Sequence, residues 1–203
     1  MVLAAAAALP AAPGSPLFAE GVSAALGSID PKPGAWAEYL IRAKGKGSLR
    51  MRATALPASG DDRYWLELAT AADSGMVSVA RLLLRGKEFS PRAVERMALL
   101  VAGQMPIEIP PEQLAQAASR LAASAQVKRL GAEWVRVPAG EFSAEVIRVS
   151  GTRVWRSSTV PLWGLIKASS ARQSIELVAS GSSGGHSLFP PGWDQGNGSD
   201  SRK

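Results

Sequence analysis

The sequence predicts an α+β protein that is mainly antiparallel β: a curved sheet or incomplete barrel with one wet face, wrapped round one or two short helices. Three observations predict this. Short segments in both halves alternate apolar and polar residues with period two. Glycine and proline turn signals separate these segments. Only the middle of the chain contains a stretch with helical spacing. The chain has 203 residues, 46% of them hydrophobic, which suffices for one domain with a core.

The elements run as follows. "MVLAAAAALPAAPGSPLFAE" carries no charge before Glu20. Its apolar block, Val2 to Ala12, is shorter than the roughly 20 residues a membrane helix needs. It resembles the apolar region of a secretory signal, with processing after Ala11, Ala12 or Ala19, although no basic residue precedes it. Residues 1–19 are therefore expected to be a signal peptide or a disordered leader. After the linker "SIDPKPGA", "AWAEYLIRA" puts Trp36, Glu38 and Leu40 on one side and Ala37, Tyr39 and Ile41 on the other. "SLRMRATAL" alternates Leu49, Met51 and Ala53 against Arg50, Arg52 and Thr54. "DRYWLELATA" and "GMVSVARLLLRG" continue the series. Residues 91–102 fit two descriptions: a helix capped by Ser90 with Pro91 in its first turn and Gly103 after its end, or a strand "VERMALLVA". "PPEQLAQAASRLAAS" reads as a helix, with Leu114, Ala117, Ala118, Leu121 and Ala122 in one stripe. Four more strands follow: "QVKRLGAEWVRVPAG", "EFSAEVIRVSG", "TRVWRSSTV" and "RQSIELVASG". The sheet domain thus spans 28–181, and the Gly/Ser-rich stretch 182–203 is expected to be a flexible tail.

The chemistry available is sparse. There is no cysteine, hence no thiol nucleophile, disulfide or thiolate metal site. The one histidine, His186, stands in the Gly/Ser-rich stretch, where a solvated role outweighs catalysis. "GKGS" at Gly45–Ser48 lacks the spacing of a phosphate loop and reads as a hairpin turn. Asp61 and Asp62 are turn residues. Glu141 and Glu145 are read as surface ion-pair partners of Arg148 and Arg153 rather than as a catalytic dyad. No catalytic residue, metal or cofactor is assigned. The net charge of +6 comes from basic residues scattered singly (Arg42, Arg50, Arg52, Arg63, Arg81, Arg85), a pattern that suits solubility or mild attraction to anionic membranes, not nucleic acid.

"TRVWRSSTVPLWGLIK" concentrates large apolar residues around Pro161, which ends regular strand pairing. Leu162 and Leu165 suit a core plug; Trp163, beside Gly164, suits a pocket mouth. Together with "VRVPAGEFSAEVIRV" and "SIELVASG", this segment resembles a pattern in uncharacterised exported bacterial proteins of the LolA/LppX-like lipoprotein-carrier architecture. The resemblance covers Val135 to Gly181. It implies an incomplete antiparallel barrel wrapped round a hydrophobic cavity and closed by helices. It fixes no ligand residue.

The expected function is that of a non-enzymatic, exported (periplasmic) protein holding a lipid or lipid-modified chain in the concave face of the sheet, with no membrane span of its own. Candidate lining residues are Trp36, Tyr39, Met51, Trp65, Trp155, Trp163 and Leu165. The alternatives are an envelope structural or partner-binding protein with a fully packed core, and, more remotely, a carboxylate hydrolase. The alternative location is the cytoplasm.

Overall fold

The computed structural model describes residues 28–45, 47–72, 75, 77–89, 93–110, 112–113 and 127–193. Eleven strands follow in chain order: β1 Trp36–Ala43, β2 Gly47–Pro57, β3 Arg63–Ala72, β4 Val77–Arg85, β5 Val94–Val101, β6 Ile107–Ile109, β7 Val127–Val137, β8 Gly140–Val149, β9 Thr152–Arg156, β10 Leu165–Ser169 and β11 Gln173–Gly181. They form one sheet in the order β6-β5-β4-β3-β2-β1-β11-β10-β9-β8-β7. Every pairing is antiparallel. Two meanders, β1–β6 and β7–β11, therefore lie side by side and share the β1–β11 seam. The sheet is open, with β6 and β7 at its edges.

Residues directly opposite in an antiparallel pair share a face. Tyr39 stands opposite Met51 and Leu177, and Ile41 opposite Leu49 and Ile175. Leu66 faces Leu82, which faces Met97. Val154 faces Ile147 and Ala168. These side chains make up an inner face, and one core cluster joins both meanders across it. Ile29, Phe89, Val160, Leu162 and Trp163, all from connections, belong to the same cluster. Each large side chain so buried contributes roughly 1.5–3 kcal/mol.

The mainly antiparallel β architecture is thus present, as one open, unclosed sheet. The α+β description is not supported by the described residues, which contain almost no helix. Residues 94–101, legible as helix or strand, form β5; their period-two alternation sends Met97 and Leu99 to the inner cluster and Ala98 and Leu100 to the other face. The helix expected over 111–124 lies outside the described residues except for 112–113, and so does the leader 1–19.

The second face differs from the expected wet surface. Glu67 stands opposite Thr54 and Arg81 in the middle of it, and all three are buried. Residues 182–193, expected to be a flexible tail, lie along this face instead. Ser187 Oγ donates to one Glu67 carboxylate oxygen at 2.5 Å, and the Leu188 N–H donates to the other at 2.9 Å. Arg81 lies 3.6 Å from the same carboxylate and stacks over Trp65 and Phe189. Phe189 is buried with Val79 and Ala98 and meets Trp193 at 5.2 Å. Glycine permits the approach: a Cβ on Gly185 would come within 2.6 Å of Thr54 Cγ2 and 2.8 Å of the Gly34 carbonyl. His186 itself is exposed.

Candidate ligand-binding cleft

The segment between β9 and β10 closes on itself. The Ser157 N–H donates to the Gly164 carbonyl at 2.8 Å, and the Val160 N–H donates back to the Ser157 carbonyl at 3.2 Å. Pro161 supplies no backbone donor, and Leu162 takes a left-handed backbone with φ of 65°. A non-glycine residue there is strained. The strain is held by burial of Leu162 and by the Asp30 N–H, which donates to the Leu162 carbonyl at 2.9 Å. Val160, Leu162 and Trp163 thereby turn inward, and Trp163 meets Phe89 at 5.3 Å.

This turn forms one wall of a cleft of about 790 Å³. Ser143, Glu145 and Arg156 bound it from β8 and β9, and Ser180–Ser182 bound it at the end of β11. Asp30 and Lys32 close the rim. The cleft is therefore lined mainly by polar groups, with the large apolar side chains of the turn buried behind its wall. Arg156 Nε donates to the Trp163 carbonyl at 3.0 Å. Burial lowers the Arg156 pKa, while the Glu145 carboxylate works in the opposite direction. Beneath the wall the Tyr39 phenol donates to the Leu165 carbonyl at 3.2 Å. Burial raises its pKa far above the usual phenol value, and a hydrogen bond with the Trp163 side chain offsets a little of that rise. That approach does not satisfy the indole fully: Trp163 Nε1 has no well-formed hydrogen bond, and neither does the buried Tyr64 hydroxyl. Among the described residues no group of three or more His, Asp or Glu side chains is placed to hold a metal ion.

No protein-family model matches the chain, and no curated protein matches it.

The structure brings together five of the seven sequence-predicted lining residues. Tyr39, Met51, Trp155, Trp163 and Leu165 share the inner cluster, and Trp163 alone of them lines the cleft. Trp155 also stands opposite Lys167; its Nε1 donates to Glu133 at 2.6 Å and Arg153 lies 4.8 Å from its ring. Trp36 and Trp65 are on the other face. Arg52 covers Trp36 at 4.1 Å, and Trp65 packs with Leu56 and Leu83. The reason is strand parity: Trp36 is three residues from Tyr39 in one strand, so the two cannot share a face.

The polar lining was not anticipated. Ser143, Glu145 and Arg156 carry no motif; only the alignment of β8 with β9 puts Glu145 opposite Arg156. Glu145 pairs with Arg129 at 3.3 Å and Glu141 with Arg136 at 3.8 Å, instead of with Arg148 and Arg153.

Proposed function

We propose that the protein is a non-enzymatic, exported carrier that binds a lipid or lipid-modified chain. One observation carries this reading: the apolar inner face of an open antiparallel sheet ends at a polar-lined cleft, and the turn carrying Val160, Leu162 and Trp163 separates the two. The cleft volume lies within the range of roughly 300–1,000 Å³ typical of small-molecule sites. In this arrangement the head group meets Arg156, Ser143 and the serines of 180–182, and the acyl portion enters by displacing the turn that carries Val160, Leu162 and Trp163, whose side chains are buried behind the wall. The resemblance of residues 135–181 to LolA/LppX-like exported carriers supports the same reading, as does the leader's likeness to a secretory signal.

The competing reading, an envelope protein with a packed core that binds a partner, is favoured by the complete burial of Tyr39, Leu66 and Leu177. Gentle purification followed by organic extraction and mass spectrometry separates the two. A carrier yields a stoichiometric lipid, and Ser143→Trp, which fills the cleft from an exposed position, releases it while the protein stays folded. Recovery of no lipid under conditions that preserve the fold, together with no uptake of added fluorescent fatty acid, would refute the carrier.

A further inference from the structure

The edge strand β7 is exposed along almost its entire length. It carries three of the seven exposed large hydrophobic side chains of the described residues: Val127 at 50%, Leu130 at 38% and Trp134 at 72%. It also carries Lys128, Arg129 and Arg136. Register adds a second feature. Lys128 stands opposite Arg148, and Arg148 stands opposite Arg153, so three cations form a row across β7, β8 and β9 on one face. Like charges directly opposite repel and destabilise a sheet. Arg153 is compensated by Glu133 at 2.7 Å. Among the described residues Lys128 and Arg148 make no ion pair.

We propose that the β7 edge is a docking surface for an anionic lipid bilayer. The cation row meets phosphate head groups, and Trp134, Leu130 and Val127 enter the interfacial layer, the pairing of apolar anchors with cations that holds proteins on membrane surfaces. Trp134 lies roughly 20 Å along the strand from Lys128, and the register shift between Arg129 and Gly131 puts it on the opposite face. An edge-on approach therefore presents both to one plane. A free phosphate would account for the cations and leave the three apolar side chains without a role. A partner strand is disfavoured by the edge itself: the register shifts between Arg129 and Gly131, and a bulge with flanking cations is how natural edges block strand addition. The inference does not depend on what the cleft binds, although Trp134 stands opposite the cleft residue Ser143.

The test is co-sedimentation of the full chain with phosphatidylglycerol-containing vesicles and with pure phosphatidylcholine vesicles, at low and high salt. The wild type is expected to pellet with the anionic vesicles at low salt and to be released by high salt. The double variant Lys128→Gln, Arg148→Gln is expected to bind about 25-fold more weakly, about fivefold for each cation. Trp134→Ala is expected to weaken binding at unchanged charge and to remove most of the vesicle-induced blue shift of tryptophan fluorescence. All three positions are exposed, and circular dichroism checks that the variants fold. Equal pelleting with both vesicle types would overturn the proposal, as would unaltered binding by the double variant. Binding to polyglutamate without binding to vesicles would assign the surface to an acidic polypeptide and overturn it too. Lipid recovery from the double variant Lys128→Gln, Arg148→Gln is expected to equal that from the wild type, because neither residue lines the cleft, so failure of this proposal and failure of the carrier reading are separate results.

Discussion

Gly164 holds the cleft wall in place through space as much as through conformation. Its φ is 72°, and a Cβ there would stand 2.6 Å from the Ser157 carbonyl oxygen that faces it across the turn. Gly164→Ala is therefore expected to cost at least about 2 kcal/mol, measured by denaturant unfolding, and to weaken lipid uptake further by displacing Trp163. Glu176 gives a pH signature. Lys167 donates to one of its oxygens and Arg42 to the other, both at 2.8 Å. The Lys167 hydrogen bond is the largest influence and, with Arg42, holds its carboxyl below the usual range against the upward push of burial. A depressed folded-state pKa stabilises the protein above the unfolded value, and that stabilisation is lost as pH falls through the folded value. Acid unfolding of the wild type should therefore steepen below about pH 4.5, the ordinary carboxyl value. Glu176→Gln should flatten that limb; an unchanged limb would show that the pair contributes nothing. Single residues also show where reading the sequence fell short. The alternation "WAEYLIRA" already separates Trp36 from Tyr39, so naming both as lining conflicted with the pattern that predicted the strand.

Among the elements, the strands were the most legible. Alternation and turn residues placed β1 to β4, β7 to β9 and β11, because each keeps its partner in register; β10 was missed, since Leu165–Ser169 follows Pro161 and Gly164 in a run read as a core plug. β5 was ambiguous because an apolar run such as "VERMALLV" satisfies both periods over eight residues. The segment 182–193 was not legible. Its glycines and serines carry no periodic signal, and its anchor is a buried carboxylate far away in sequence. Composition suggested a tail, whereas hydrogen bonds to Glu67 make it a strap. Phe189→Ala is expected to destabilise the protein by about 3–5 kcal/mol and to raise proteolytic cleavage within 182–193. Loss of this strap would leave Glu67 buried with fewer donors, a state that costs more than the hydrogen bonds alone. Unchanged stability and cleavage would mean that the strap is only laid on the surface.

At the scale of the molecule, the mainly antiparallel sheet was legible and the strand order was not. Each hairpin is written locally, in its turn and its alternation. The seam between β1 and β11 is written nowhere locally, because it joins segments separated by most of the chain. The cleft inherits this: Ser180–Ser182, Asp30 and Arg156 meet only once the seam has set the two meanders side by side. No motif spans such a distance, so the polar lining stayed hidden while the apolar turn behind it was visible.

The seam also imposes an order of assembly. On the ribosome β1 emerges first and pairs at once with β2, yet its other rim, from Trp36 to Ala43, has no neighbour until Gln173–Gly181 has been translated. Until then the nascent chain carries an unsatisfied β rim bordered by Tyr39 and Ile41. Gln173–Gly181 completes the middle of the sheet, so termination anywhere between the two strands leaves a sticky product instead of a smaller working one.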